Sequence, residues 1–167
     1  MKIVPAGSAE IAKLTRLEVA SKRASISQLI GPHDLDENRL LRRWETYFLG
    51  QSPLSSKPER RVLQATVNGV LVGYIAGHLT SRYDMDAEIQ SFYVLRDYQR
   101  QGIGSALLGA LAAWLVSLRA TRLCVGIAAG NPYRAFYEKH DAVYLNEHWL
   151  YWHDLQPLVA LESPASD

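Results

Sequence analysis

The stretch AEIQSFYVLRDYQRQGIGSALLGALAAWLVSL, residues 87–118, contains the strongest structural signals in the chain. Its first part, Ala87–Val94, alternates and is rich in aromatic residues, which is typical of a β-strand. A polar loop, Leu95–Gln101, leads to Gly102 and Gly104, and the long apolar run after them predicts a buried helix. A helix start presents unpaired N–H groups and partial positive charge, and glycine lets a ligand approach the backbone closely. The stretch therefore predicts a strand, a loop and a helix that together bind an anion such as phosphate.

The residues around the two glycines narrow the type of loop. Gly104 is followed by Ser105 and Ala106, so the Gly-Lys-Ser/Thr of a P-loop is missing, and Leu107 replaces the third glycine of a dinucleotide fingerprint. The sequence Gln99-Arg100-Gln101-Gly102-Ile103-Gly104 instead resembles the Q/R-x-x-G-x-G/A signature of the GNAT superfamily of acyl-CoA-dependent N-acyltransferases. The resemblance implies that backbone amides of residues 99–105, ending at Ser105, bind the pyrophosphate of coenzyme A. Arg100 is the side chain expected beside that pyrophosphate; the alternative is a solvated arginine in a polar loop.

Length and composition fit one globular domain. The 167 residues are 48% hydrophobic and 21% charged, and the net charge of +1 gives no electrostatic argument for nucleic acid or an anionic membrane as partner. No signal peptide or membrane-spanning run is recognisable, so we expect a cytoplasmic protein. The single cysteine, Cys124, excludes an internal disulfide and is expected in the core. We expect one domain over residues 1–155 and a partly disordered tail over residues 156–167.

The remaining segments predict an α+β architecture. A short apolar run at residues 2–5 is a first strand, Ser8 precedes an amphipathic helix, and Asp36 can cap a second helix that ends at Gly50. Asn68-Gly69 is the strongest hairpin signal in the chain. The full order is β-α-α-β-β-β-α-β-α-β-β. This is the order of the GNAT fold, whose mixed, mostly antiparallel central sheet is flanked by helices.

Acyl transfer from a thioester to an amine requires the amine to lose a proton. Glu88, at the head of the strand, is the candidate base, because the resemblance implies a glutamate here that takes the proton through water. The alternative is an exposed strand-end carboxylate. Gln90, two residues on, is expected on the same face, where it could orient that water. Asp84 and Asp86, in the preceding turn, are alternative carboxylates.

The departing thiolate must be protonated or stabilised, and Tyr137 is the candidate acid. The segment from Asn131 to Lys139 resembles the family motif N-x-x-A-x-x-F-Y-E-K, whose last tyrosine points at the thioester sulfur. A phenol stays protonated at neutral pH and can donate to a thiolate. The spacing from Asn131 to Tyr137 is one residue shorter than the commoner pattern, and Asp141-Ala142 replaces Gly-Phe, so the contact of Asn131 stays open. The alternative for Tyr137 is a core aromatic.

The strand segment Phe92, Tyr93 and Val94 matches the one whose backbone pairs with the pantetheine arm in the family. An open strand edge suits an amide-bearing ligand. His148 and His153 have no third ligand nearby in the sequence, so we expect no metal.

The leading prediction is an N-acetyltransferase that uses acetyl-CoA and passes the acetyl group directly to an amine-bearing acceptor. A non-catalytic acyl-CoA sensor and a transferase of longer acyl groups are the alternatives. The resemblance implies that residues 25–36 and 143–152 choose the acceptor, and Asp34, Asp36 and Glu37 could attract a cationic amine. A small amine, an amino acid, an antibiotic and a protein N-terminus all remain open, and the final strands are compatible with a homodimer.

Overall fold

A computed structural model describes residues 1–162 of the chain. The strands are β1 (Lys2–Pro5), β2 (Ser56–Val67), β3 (Val70–Thr80), β4 (Ala87–Val94), β5 (Leu123–Gly126), β6 (Val143–Asn146) and β7 (Trp149–Trp152). The helices are α1 (Ile11–Ser25), α2 (Glu37–Phe48), α3 (Ile103–Ser117), α4 (Arg134–Lys139) and α5 (Gln156–Val159). The predicted element order is confirmed, and α5 is an addition to it. No helix within residues 1–162 is long and apolar enough to cross a membrane.

The strands form one sheet in the order β1-β2-β3-β4-β5-β7-β6. Every pair is antiparallel except β4 and β5, which run parallel and are connected through α3. A parallel pair needs such a crossover, because a tight turn cannot return the chain in the same direction. The predicted mixed, mostly antiparallel sheet is confirmed.

The pairing of β4 with β5 is short, and this determines where the site lies. Ala87, Glu88 and Ile89 face residues of β5, whereas the rest of β4 pairs only with β3 on its other side. Residues 90–94 therefore have one edge without a strand partner. The run of small and apolar residues Leu123–Ala129 predicts a longer strand, but β5 ends at Gly126 and the chain turns away toward α4.

A bulge interrupts β4 next to this edge. Ala76 pairs with Ser91 and Gly77 pairs with Ile89, so Gln90 is an extra residue with no partner in β3. The expectation that Gln90 and Glu88 share a face depended on strict alternation, and the bulge breaks that alternation.

The two faces of the sheet carry separate apolar clusters. On one face α3 packs through Leu107, Leu108 and Leu111, all fully buried. On the other face α1 and α2 pack through residues that include Leu14 and Trp44. Helix α3 is apolar nearly all round because the sheet covers one side of it and the C-terminal segment covers the other.

The C-terminal segment corrects one expectation. Residues 156–162, predicted to fray, form α5 and a short 3-10 turn that contact α3. Leu155 and Leu158 are buried in the same core. Their apolar side chains hold this part of the chain in place. The rest of the predicted tail, residues 163–167, lies outside the described residues.

Candidate active site

A cavity of about 980 Å³ opens where β4 and β5 separate. Residues 89–94 of β4 and residues 125–128 at and beyond the end of β5 line it. Further walls come from the C-terminal part of α1, the turns after it, Arg43 of α2, the loop before α3, and α4. The volume is near the upper limit of about 300–1,000 Å³ that is typical of small-molecule sites.

The loop at residues 99–105, here called the glycine loop, leads into α3. Gly102 has φ +82°, and a Cβ there would meet nothing within 4 Å, so the backbone conformation and not crowding requires glycine. Arg100 also has a positive φ of 61°. The side-chain amide of Gln99 donates to the carbonyl of Val94 at 2.9 Å, which fixes the loop to the end of β4. The first N–H groups of α3 follow directly after this turn.

Most of the predicted loop residues line the cavity. Gln99, Arg100, Gly102, Gly104 and Ser105 all do so. Two others do not: the side chain of Gln101 donates to the carbonyl of Asp97, and that of Ile103 is buried in the core. The side chains of these two residues therefore do not contribute to the cavity wall.

Helix α4 packs closely on the start of α3. A Cβ at Gly104 would lie 3.2 Å from the ring of Phe136, so glycine allows this approach. Ser105 Oγ and His140 Nε2 are 2.9 Å apart, and His140 lines the cavity. Burial lowers the pKa of His140, with a further contribution from Lys139. Sequence reasoning missed His140, which lies outside the motif residues.

Tyr137 lies on α4 with its side chain in the cavity wall and 7% exposed. Its ring packs against Phe92, Phe136 and Trp152. Burial raises the pKa of the phenol well above its usual value. Within residues 1–162 the hydroxyl makes no hydrogen bond and is not one of the fully buried polar atoms that lack a partner, so a protonated donor is accessible to a ligand in the cavity.

Asn131 and the helix start connect α4 to its neighbours. Asn131 Oδ1 accepts from the backbone N–H of Tyr133 at 2.8 Å, so this side chain is used within its own turn, although it also lines the cavity. The hydroxyl of Tyr133 donates to Ser25 Oγ at 2.6 Å and lies 3.1 Å from the amide nitrogen of Gln99. One tyrosine thus joins α4, α1 and the glycine loop.

All three residues of the strand segment predicted to pair with the pantetheine arm line the cavity. Phe92, Tyr93 and Val94 all contribute to the wall, and they lie in the part of β4 that has an unpaired edge. Apart from the Val94 carbonyl, which accepts from the Gln99 side chain, their N–H and C=O groups on that edge are available for a ligand that pairs as a strand would.

Glu88 does not line the cavity. Its side chain is 7% exposed and its carboxylate lies 3.0 Å from Arg82 Nε, 3.3 Å from Thr80 Oγ1 and 3.7 Å from His78 Nε2. Burial disfavours the charged form, but His78 and Arg82 outweigh it, so the pKa of Glu88 is lowered. The structure therefore places this carboxylate behind the wall, one residue before the part of β4 that forms it.

The alternative carboxylates have other partners. Asp86 Oδ2 accepts from the backbone N–H groups of Thr121 and Arg122 at 2.9 and 2.8 Å. Although burial opposes ionisation, these bonds lower the pKa of Asp86 to about 2. Asp86 therefore joins the start of β4 to the start of β5. Cys124, fully buried in β5, is a core residue as predicted.

A charged cluster of Glu18, Lys22 and Arg43 lies beside the cavity. The carboxylate of Glu18 is fully buried, 2.7 Å from Lys22 Nζ and 2.6 Å from Arg43 Nη2, and it accepts from the hydroxyl of Tyr74 at 3.0 Å. Burial opposes its charge, yet the two cations lower the pKa of Glu18. Lys22 and Arg43 line the cavity and Glu18 does not. Sequence reasoning missed this cluster; its one signal was the Glu18–Lys22 pair, spaced i,i+4 along the buried side of α1.

The predicted acceptor segments differ in their positions. Residues 25–36 line the cavity at five positions, Asp34 included, whereas no residue of 143–152 does. Asp36 caps α2 by accepting from the N–H of Arg39 at 3.1 Å, and Glu37 is exposed outside the cavity.

Within residues 1–162 no group of three or more His, Cys, Asp or Glu side chains is arranged to hold a metal ion.

A sequence model of the acetyltransferase (GNAT) family matches residues 22–142, which is more than half of the chain. The chain belongs to this family. The match includes β4, the glycine loop and α4. No curated protein matches the chain significantly in sequence.

Solved structures of other acetyltransferases share the fold. A PaiA N-acetyltransferase from Thermoplasma acidophilum, solved in complex with coenzyme A, has a TM-score of 0.69 at 14% identity, covering 92% of this chain and 99% of its own. An acetyltransferase from Thermus thermophilus has a TM-score of 0.68 at 22% identity, covering 90% of this chain and 95% of its own. An N-acetyltransferase from Staphylococcus aureus has a TM-score of 0.64 at 15% identity, covering 93% of this chain and 98% of its own. At such low identities the similarity shows the fold alone.

Proposed function

We propose that this GNAT protein is an acetyl-CoA-dependent N-acetyltransferase that passes the acetyl group directly to an amine in a ternary complex. One observation carries the proposal: a single cavity contains the unpaired edge of β4, the glycine loop and the side chain of Tyr137. These are a site for an amide-bearing arm, a site for phosphate and a proton donor. The coenzyme A complex of the Thermoplasma relative supports the choice of cofactor.

The residues present fit coenzyme A. Backbone N–H groups of the glycine loop and the start of α3 would hold the pyrophosphate, because they are unpaired there and the helix dipole favours negative charge. Arg100, which lines the cavity, adds a cation. The unpaired edge at residues 92–94 would pair with the amides of the pantetheine arm.

The chemistry has two proton transfers. The neutral amine attacks the thioester carbonyl, and backbone N–H groups on the unpaired edge of β4 stabilise the oxygen as negative charge develops. The C–S bond then breaks, and the hydroxyl of Tyr137 gives its proton to the departing sulfur. The amide and free coenzyme A leave, and solvent returns a proton to Tyr137. Its raised pKa keeps the phenol protonated before each turnover.

For the proton lost by the amine we propose Glu88 as acceptor, acting through water. Its lowered pKa keeps the carboxylate ionised at mildly acidic pH, the form that accepts a proton. Because Glu88 lies behind the wall, it can act only through a relay and not by direct contact. The competing role is structural, as the partner of Arg82.

The proposal is tested first by binding and then by transfer. Because acetyl-CoA and desulfo-CoA would bind only the folded protein, each should raise the melting temperature in a thermal-shift titration. Incubation with acetyl-CoA and a panel of amines should then release free thiol in proportion to the amide formed. Stabilisation without transfer to any amine would favour the acyl-CoA sensor, and no stabilisation at millimolar ligand would contradict the cofactor.

The role of Glu88 is tested by comparing Glu88→Gln with Arg82→Gln. If Glu88 is the base, Glu88→Gln lowers kcat by about 100-fold. Arg82→Gln keeps the carboxylate but removes a cation that lowers its pKa, so activity is retained and the acidic limb of the pH–rate profile moves to higher pH. Equal losses of melting temperature and turnover in both variants would instead identify Glu88 as a structural partner of Arg82.

A further inference from the structure

The charged cluster beside the cavity contains more positive than negative charge. The buried carboxylate of Glu18 faces two cations, Lys22 and Arg43. The nearby carboxylate of Asp34 accepts from the N–H of Gly31 and from Arg39, while Lys22 reaches only its backbone carbonyl. Lys22 also helps to lower the pKa of Asp34, so these two groups partly offset each other. Within residues 1–162 Arg43 has no ion pair other than Glu18, and it shares Glu18 with Lys22.

Within the charged cluster, Arg43 has most of the N–H donors that are not used in hydrogen bonds. Its guanidinium has five N–H donors, and within residues 1–162 it makes one hydrogen bond, from Nη2 to Glu18. The side chain is 35% exposed and lines the cavity. Glu18 and the ring of Trp44, whose centroid is 5.8 Å away, hold the guanidinium in place. Arginine fixed in this way matches the two oxygens of a carboxylate.

The cluster is close to the part of β4 where transfer would take place. Lys22 Nζ lies 5.8 Å from the centroid of the Tyr93 ring, and Tyr74 connects Glu18 to Ser91 through a 2.7 Å hydroxyl contact. Ser91 directly follows the bulge at Gln90. A molecule that contacts Arg43 inside the cavity therefore lies along the strand that leads to Phe92 and its neighbour Tyr137.

We infer that the acceptor is an amine that also carries a carboxylate, as an amino acid does, and that Arg43 binds this carboxylate while Lys22 adds positive charge. The inference rests on the proposed acetyl transfer and specifies its substrate class. The sequence-based expectation was that carboxylates attract a cationic amine. The inference differs from it because the cavity wall has more cationic side chains than carboxylates. Arg43 is then a specificity-determining residue.

The test compares matched acceptors with the intact protein and acetyl-CoA. Each common amino acid is assayed beside its α-carboxamide and its decarboxylated amine, and rates are expressed per concentration of unprotonated amine, because the three amino groups differ in pKa. For the preferred side chain we expect kcat/KM to be about 10- to 100-fold higher for the acid than for the amide, mainly through KM.

Two substitutions locate the effect on one side chain. Arg43→Gln should bring the ratio of kcat/KM for the acid to kcat/KM for the amide close to one, and Arg43→Lys should restore part of the preference for the acid. Glu18 keeps Lys22 and Tyr74 as partners in both variants, so its buried carboxylate is not left alone. The matched control is Arg42→Gln, which removes the same charge from an exposed neighbour outside the cavity and should keep the preference.

The outcomes distinguish a failure of the inferred acceptor class from a failure of the proposed acetyl transfer. Transfer to amides or decarboxylated amines as fast as to acids would overturn the carboxylate while leaving acetyl transfer intact. A preference for acids that survives Arg43→Gln would overturn the assignment of carboxylate binding to Arg43. No transfer to any amine, in a protein that acetyl-CoA stabilises, would overturn the proposed function and the acceptor class with it.

Discussion

The glycine loop and the charged cluster line the same cavity, but they are built differently. The glycine loop uses backbone geometry within a few consecutive residues: a positive φ at Gly102, a fixed Gln99 and the first turn of α3. The charged cluster uses side chains brought together from distant elements. Glu18 and Arg43 are 25 residues apart, and Glu18 and Tyr74 are 56 apart. The part that fits the common cofactor is local, and the part that would choose an acceptor is assembled by the fold.

The largest expected effect is that of Tyr137→Phe, which removes only the hydroxyl. Because a positioned general acid contributes about 10²–10⁴-fold, kcat should fall by at least about 100-fold. Stabilisation by acetyl-CoA and the preference among acceptors should stay the same, since neither the glycine loop nor the charged cluster is changed. Parallel measurements of turnover and thermal shift check this.

The control for that experiment is Tyr144→Phe, an exposed tyrosine outside the cavity. It should leave all three quantities unchanged. If Tyr137→Phe retains its turnover, Tyr137 is a core aromatic, and the thiolate leaves without this proton.

A smaller effect, confined to the glycine loop, is expected from Gly102→Ala. An alanine at φ +82° costs about 1–2 kcal/mol in stability or forces the turn to rearrange. Acetyl-CoA affinity should fall, while the ratio of acid to amide turnover is retained. Titration calorimetry with desulfo-CoA and the acceptor panel would measure the two quantities separately.

Gly69→Ala is the matched control, because Gly69 in the β2–β3 hairpin has φ +79° and equally open space for a Cβ. It should lower the melting temperature to a similar extent without weakening acetyl-CoA. If both alanines weaken acetyl-CoA equally, the loss reflects global stability. The glycine loop would then lose its assigned role.

The same contrast explains which features were predictable from the sequence. The strand, the glycine loop and α3 follow from local pattern, and so does the Asn68-Gly69 hairpin with its two positive φ angles. Tyr137 follows from a motif with local spacing. These signals depend on neighbours in the chain, which the sequence shows directly.

Other features depend on long-range contacts and were wrong or missed. The bulge at Gln90 is a matter of register with β3, which no local pattern specifies. The burial of Glu88 among His78, Thr80 and Arg82 results from the pairing of β3 with β4. The turn after Leu155 was predicted to fray, but it is helical. Its stability comes from packing on α3, which its own sequence does not reveal.

The carboxylate of Asp86 has a consequence for how a ligand would enter. By binding the N–H groups of Thr121 and Arg122, it holds β4 and β5 together at one end while they part at the other. The separation of the strands is thus a property of the folded protein before any ligand arrives. An incoming thioester would find an open strand edge and displace only water, so none of its binding free energy goes into forcing two strands apart.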